Sequence, residues 1–470
     1  MLAAMEGTIS TRSGVPAVAK QPAKAAPKGS PFRAITALYD TIAAHRFLFP
    51  ITVFAVHFLI VQITATLAYI YGTPRASSGP YQGSFGPPRD MTGFWENIVG
   101  PLRLWDGLWY KFIADHGYDS SYSATAAFWP LLPWVMREGH EIFGIQPEVI
   151  GYLFANICFA GALIVIYQLL RMDFSAELTR KAMWGIALFP TALFFSAVYT
   201  EAPFLFFASL CLLCARKGEW PAAGVVGILA ALTRSQGVML LAPLGILLIQ
   251  QNGLIPRKWL RTAPFAALPI LGPVIFGWRL EENGFKWRAF VDVQNEWYRT
   301  SAMPWKTFEC ATRGCSFSFE VYGRTVNPVA RGDDWTWLTQ LIRHPSWDLI
   351  TGKTWIANSE FLNWRDAVAN GDTLELVVTL LFIGLAIVGL FKLPLWQSAY
   401  VWPPLIVPLF QPSSVHPLFS MPRFVIVLFP LFVVLGMFIE GRWTKTIAVL
   451  VSTAMLVLFT IQFSTWYWVS

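Results

Sequence analysis

Residues Val149–Leu170 read VIGYLFANICFAGALIVIYQLL, 22 consecutive positions without a charged side chain. A membrane-spanning helix uses about 20 predominantly apolar residues, so this stretch reads as one complete crossing. Working outward, a second such run lies from about Phe47 to Tyr71, and further apolar runs follow as far as Phe463. The whole composition agrees. Of 470 residues, 55% are hydrophobic and 13% charged, against roughly a quarter charged in soluble domains. That excludes a water-soluble globule and predicts an all-α polytopic membrane protein surrounded by membrane lipids. The 35 basic and 28 acidic residues leave a net charge of +7. Basic residues of membrane proteins gather in cytoplasmic loops, so topology accounts for the excess and no nucleic-acid partner is expected. Of the five cysteines, Cys158, Cys211 and Cys214 lie in apolar runs and behave as small hydrophobes. Cys310 and Cys315 are left as the pair able to form a disulfide.

The positions of Lys and Arg set the expected topology. Residues 1–46 read as a disordered basic cytoplasmic tail and approach to the membrane. They carry Arg12, Lys20, Lys24, Lys28, Arg33 and Arg46, and no apolar core of a secretory signal is visible in them. Residues 47–470 form the multi-span domain. Basic clusters at Arg171/Arg180/Lys181, Arg216/Lys217, Arg257/Lys258/Arg261, Lys392 and Arg442/Lys445 are each assigned to the cytoplasm. Between them the chain must cross an even number of times. Hairpins are therefore expected over 182–215, with Tyr199-Thr200-Glu201 at the outer apex, over 222–249, with Thr233–Gly237 at the apex, and over 399–439. Single spans are expected near 47–71, 149–170, 262–278, 374–391 and 447–463. The total is about eleven transmembrane helices, with extracytoplasmic loops at about 72–148 and 279–373. The arms of the second hairpin, about 12 to 15 residues each, reach only about 20 Å at 1.5 Å per residue. Its polar apex should thus lie below the membrane surface, beside protein or a water-filled cavity. Pro-interrupted Phe128–Trp134 reads as a re-entrant or half-span segment, and Trp466, Tyr467 and Trp468 as an interfacial belt.

In the first outer loop, Leu102, Trp105, Leu108, Trp109, Phe112 and Ile113 recur at helical spacing and predict an amphipathic helix lying in the interface. Asp106 sits at the edge of this stripe with Tyr110 one turn on, and Asp115, His116 and Tyr118 cluster around Gly117, which should end the helix. Spacing alone leaves open whether Asp106 is a functional carboxylate or a solvated group on an anchoring helix. Arg234 lies in an apolar hairpin, where a central Arg costs about 2.5 to 3.5 kcal/mol on insertion scales. It needs either an anionic ligand or a partner such as Glu201. Arg423 begins an outer helix, where the macrodipole disfavours a cation, so it either binds an anion there or snorkels to the interface. His57 and His416 read as packed or interfacial. No HExxH, paired CxxC or DxD run appears, so neither a metal nor another cofactor is expected. Trp287, Trp297, Trp305, Trp335, Trp337, Trp347, Trp355 and Trp364 crowd the second outer loop, suiting interfacial anchoring or sugar stacking.

The run Arg103-Leu-Trp-Asp-Gly-Leu-Trp-Tyr-Lys-Phe-Ile-Ala-Asp-His-Gly-Tyr118 resembles the first-loop signature of the PIG-V mannosyltransferases, and Phe128-Trp-Pro-Leu-Leu-Pro133 resembles the run that follows it there. Phe189–Glu201, Leu232-Thr-Arg-Ser-Gln-Gly237, Ser420-Met-Pro-Arg423 and Phe429-Pro430 are similar to later motifs of that family in the same order. Leu104 and Gln236 depart from the pattern, which leaves the acceptor open. The resemblance implies a GT-C glycosyltransferase that moves a sugar, mannose first among the expectations, from a polyprenyl-phosphate donor to a lipid, glycan or protein acceptor. Transfer would occur on the extracytoplasmic or lumenal face, at the plasma membrane of a prokaryote or in the endoplasmic reticulum of a eukaryote. It also implies Asp106 as general base. Arg234 and Arg423 suit the donor phosphate, with Trp105, Tyr110, Asp115, His116, Tyr118, Glu201 and Gln236 as further site candidates. A GT-C transferase for another sugar or a protein acceptor, and a secondary transporter or lipid-linked glycan flippase, are the alternatives. No internal repeat of the transporter kind is visible.

Overall fold

The first apolar run becomes α1 (Leu48–Tyr71), with Val53, His57 and Val61 buried and Leu59, Ile63 and Leu67 exposed on the outward face. A row of exposed large apolar side chains on a long helix is what a lipid-facing surface requires. The first loop supplies α2 (Asp106–His116) and α3 (Leu131–Phe143) before the long α4 (Pro147–Arg171). Pro147 opens α4 where its missing N–H costs nothing, and Glu148 and Arg171 stand at the ends that suit their charges. Next comes α5 (Ala176–Leu188), capped by Ser175 Oγ, which accepts from the Leu178 N–H at 3.3 Å. The chain continues through α6 (Glu201–Arg216), α7 (Trp220–Thr233), α8 (Leu241–Asn252) and α9 (Leu271–Glu282). It then runs through α10 (Asp372–Lys392), α11 (Leu395–Ile406), α12 (Phe429–Phe438) and α13 (Arg442–Ser464).

These elements come from a computed structural model that describes residues 45–72, 90–91, 93–253, 255–297, 299–313, 319–321, 324–326, 372–413, 417–466 and 469. All that follows concerns the unit Arg46–Ser470. The tail expected over 1–46 therefore lies almost wholly outside the described residues, as do Cys315, His416, Tyr467, Trp468 and five of the eight loop tryptophans, Trp335 to Trp364.

Among the described residues, five helical stretches are long and apolar enough to cross a membrane: Leu48–Tyr71, Pro147–Arg171, Ala263–Glu282, Glu375–Lys392 and Arg442–Ser464. The protein is a membrane-embedded helical protein. Its described strands are a three-residue pair, Phe319–Val321 against Arg324–Val326. Six further helices, α5 to α8 with α11 and α12, run only 10 to 16 residues. At 1.5 Å per residue the longest is about 24 Å, less than a ~30 Å hydrocarbon core. They follow one another as α5/α6, α7/α8 and α11/α12, each pair interrupted by irregular chain, and these pairs fall on the three expected hairpins.

Packing turns the interruptions inward. α4 lies along α6 and α6 along α7, while α12 packs on α5 and α13 on α1. Phe159 and Phe195 stack at 4.5 Å in this core. Buried His57 joins Ala187 O (2.6 Å) and Ser196 Oγ (3.1 Å), a packing role rather than a ligand's. After α7, Arg234 is extended and residues 235–240 fold back as a 3-10 turn, so close that a Cβ on Gly237 would collide with the backbone of Ala230 and Ala231. The segment Phe128–Trp134, expected as a re-entrant or half-span stretch, leads into α3, whose inner face buries Leu132, Pro133, Met136 and Gly139 while Ile142 and Phe143 stay exposed.

Candidate active site

The amphipathic stripe starts later than its spacing suggests. Leu102 belongs to a separate 3-10 turn, and Trp105 adopts φ 58°, so α2 begins at Asp106. Buried Tyr199 fastens this turn: its hydroxyl donates to Leu104 O at 3.2 Å and accepts from the Asp106 N–H at 3.1 Å. Positive φ is rare for a bulky residue and persists only where surroundings enforce it. Among the described residues three non-glycine positions have it, Trp105, Ser420 and Trp466. Trp105 immediately precedes Asp106 and stacks on Trp466 at 4.6 Å, and Ser420 caps the short helix Met421–Val425 that carries Arg423. The strained positions thus set both ends of one ion pair.

In that pair, Arg423 Nη1 donates to Asp106 Oδ2 at 2.7 Å. Arg423 Nε donates to Glu201 Oε1 at 2.9 Å, and the same oxygen lies 2.6 Å from Arg234 Nη1. Four charged side chains from α2, α6, the α7 end and the Met421–Val425 helix are thereby linked in a line. Glu201 is fully buried, Arg423 nearly so, and the Asp106 side chain retains 21% exposure at the open end. Phe194 and Tyr199 face the Arg423 guanidinium at 5.0 and 4.7 Å, and Phe424 faces Arg234 at 5.4 Å. Such contacts stabilise a desolvated cation.

Asp106, Arg234 and Arg423 line a cavity of about 370 Å³ together with Tyr110, Phe128, Gln236, Trp297 and Arg299. Burial, followed by the charge of Asp106, holds the Tyr110 phenol above its ordinary pKa. It stays protonated there, with its hydroxyl 3.3 Å from Thr200 Oγ1. Gln236 is buried, and its Oε1 has no partner among the described residues. An orphaned amide beside a cavity is costly unless a ligand completes it.

The structure thus gathers Asp106, Tyr110, Glu201, Arg234, Gln236 and Arg423 at one place and leaves four candidates elsewhere. Trp105 supports the turn behind Asp106. Asp115 pairs with Lys111 at 2.6 Å, His116 meets Phe112 O at 3.1 Å, and the Tyr118 hydroxyl donates to Phe128 O at 2.7 Å. None of these four lines the cavity. Arg299, Gln294 and Gln411 line it without having been singled out by sequence. They sit in segments with no periodicity or motif. Among the described residues no three His, Cys, Asp or Glu side chains gather closely enough to hold a metal ion. The cavity's positive charge comes from arginine, whose planar fork suits phosphate. An arginine-rich cavity with a partly exposed carboxylate in its wall can bind an anion and accept a proton beside it. No protein-family model and no curated protein matches the chain.

Proposed function

We propose that the protein is a glycosyltransferase of the GT-C kind that takes a sugar from a polyprenyl-phosphate donor, with Asp106 as general base. The observation that carries the reading is the line Asp106–Arg423–Glu201–Arg234, in which Asp106, Arg423 and Arg234 line the cavity and Glu201 lies behind them. It juxtaposes a partly exposed carboxylate with cations able to receive a leaving phosphate. In this reading an acceptor hydroxyl attacks the anomeric carbon. The bond from that carbon to the phosphate oxygen breaks, and its electron pair leaves on the polyprenyl phosphate. The hydroxyl proton passes to Asp106. Arg423 and Arg234 stabilise the leaving anion by charge-assisted hydrogen bonds. Because Arg423 donates to Asp106 Oδ2, a phosphate that draws Arg423 away frees the carboxylate for the acceptor.

The reading includes a topology. The five long helices together with the six short ones make eleven crossings, the N-terminus is cytoplasmic, and the cavity opens to the extracytoplasmic or lumenal side. Incubation of membranes containing the protein with labelled polyprenyl-phosphate sugars tests the function directly. Consumption of one label, with mannose first, is expected, together with its loss in Asp106→Asn. Passage of an intact labelled lipid across the bilayer without sugar transfer would replace the enzyme by a flippase.

A further inference from the structure

Three arginines line the cavity, and two of them already have carboxylates. Arg423 holds Asp106 and Glu201, and Arg234 holds Glu201. Arg299 differs. Its Nη2 donates to Phe419 O at 3.0 Å, and its guanidinium lies over the rings of Phe419 and Phe424 at 5.5 and 5.9 Å. Among the described residues no carboxylate forms an ion pair with it. Its backbone is fixed by a bridge to Ser413, and the neighbouring Thr300 N–H donates to Pro412 O at 3.0 Å. The side chain therefore projects from a fastened segment. Burial lowers its pKa to about 10, with the charge of Glu375 opposing the shift and Arg423 adding to it, so it is still a cation at neutral pH.

A partly buried guanidinium with one carbonyl and two aromatic faces keeps most of its five N–H donors for something else. Glu375 offsets part of the cost of desolvating this charge, and an anion hydrogen-bonded to it in the cavity offsets the rest. With Glu375 counted beside Asp106 and Glu201, three carboxylates balance Arg234, Arg299 and Arg423, so Arg299 stands out by its spare N–H donors rather than by net charge.

We propose that Arg299 is the first phosphate-binding residue of the cavity, the cation that docks a lipid-linked phosphate before Arg423 is drawn from Asp106. The inference builds on the glycosyltransferase reading and adds a residue, and an order of engagement, that the motifs do not contain. Arg299 anchors the phosphate and takes no part in bond making. Arg423 and Arg234 receive the developing charge as the sugar leaves.

The test titrates a short-chain polyprenyl phosphate without sugar into the detergent-purified full chain, with the matching uncharged polyprenol and inorganic phosphate as separate arms. A charge-assisted hydrogen bond lost from a buried site corresponds to roughly a 10- to 100-fold weakening. Arg299→Ala should show that loss for the polyprenyl phosphate, and Arg299→Lys a smaller one, because the charge remains without the fork. Polyprenol affinity should be the same in all three proteins, which a merely structural role for Arg299 would not give. Arg299→Gln, which keeps reach and ring contact, should match the Ala variant and replaces it if that variant does not fold. Inorganic phosphate weakened in parallel assigns the recognition to the phosphate itself. Wild-type affinity for polyprenyl phosphate retained in both Arg299→Ala and Arg299→Gln overturns this inference alone. No binding of polyprenyl phosphate by the wild type overturns the glycosyltransferase reading with it.

Discussion

Arg423 and Asp106 stand 317 positions apart in the chain and 2.7 Å apart in space. The contact joins the first loop to the short helix before α12, and it places the carboxylate under the control of a residue that an anion would also seek. Removing only the Asp106 charge should leave this architecture standing, since Arg423 keeps Glu201. Asp106→Asn is expected to lower turnover by about 10²- to 10⁴-fold with nearly unchanged melting temperature. Transfer assays and thermal unfolding of the same purified sample check both halves, and turnover above about a tenth of wild type moves the role away from Asp106.

Glu201 is the hub of the buried charges, because one oxygen serves two arginines. Glu201→Gln strands Arg234 and leaves Arg423 with Asp106 alone, and breaking a buried pair from one side costs about 3–5 kcal/mol. The melting temperature should fall well below that of Asp106→Asn. Arg234→Met should cost less, since Arg423 still satisfies Glu201. A double-mutant cycle between positions 201 and 234 should give a clear coupling energy, and additive losses would contradict the pairing.

A second ion cluster supports the first loop. Arg103 is fully buried between Glu148, at 2.6 Å, and Asp90. Arg103→Met leaves buried Glu148 with only the longer Lys111 contact at 3.8 Å and should destabilise more than Arg103→Met combined with Glu148→Gln. Partial burial opposes ionisation of Asp90, yet Arg103 outweighs it and holds the carboxyl below the usual range. A depressed carboxyl stabilises the fold above its unfolded pKa of about 4. That contribution is lost as the pH falls further, through the folded value. The melting-temperature gap between wild type and Asp90→Asn should accordingly be present at neutral pH and close in the acid range.

Topology yields a fourth expectation. Ser120 and Lys217 are both exposed. Single cysteines at these positions in a Cys-free background should differ, with position 120 labelled by an impermeant maleimide from outside and position 217 protected. Reversed labelling would turn the cavity to the cytoplasm.

The long helices were legible because uninterrupted apolar runs such as 149–170 leave few alternatives. The broken helices were legible through the basic residues that punctuate them. The site was legible only where helix geometry agreed with proximity in sequence. Tyr110 is one turn from Asp106 and shares its face, whereas nine residues, about two and a half turns, carry Asp115 to the opposite face. The start of α2 was hidden because Trp105 follows the helical stripe while its backbone, held by Tyr199, does not. Arg299 was hidden because it matters through the cavity it lines, and no spacing encodes that.

The stack of Trp105 on Trp466 also bears on when the protein becomes competent. Trp105 emerges from the ribosome early, but the ring that supports it follows α13, and Arg423 is itself made only after α11. A chain arrested between α9 and α11 has inserted its first loop with Asp106 neither held by its arginine nor braced from behind. In the glycosyltransferase reading such an intermediate lacks both contacts that set Asp106, so transfer begins only once α13 is in place.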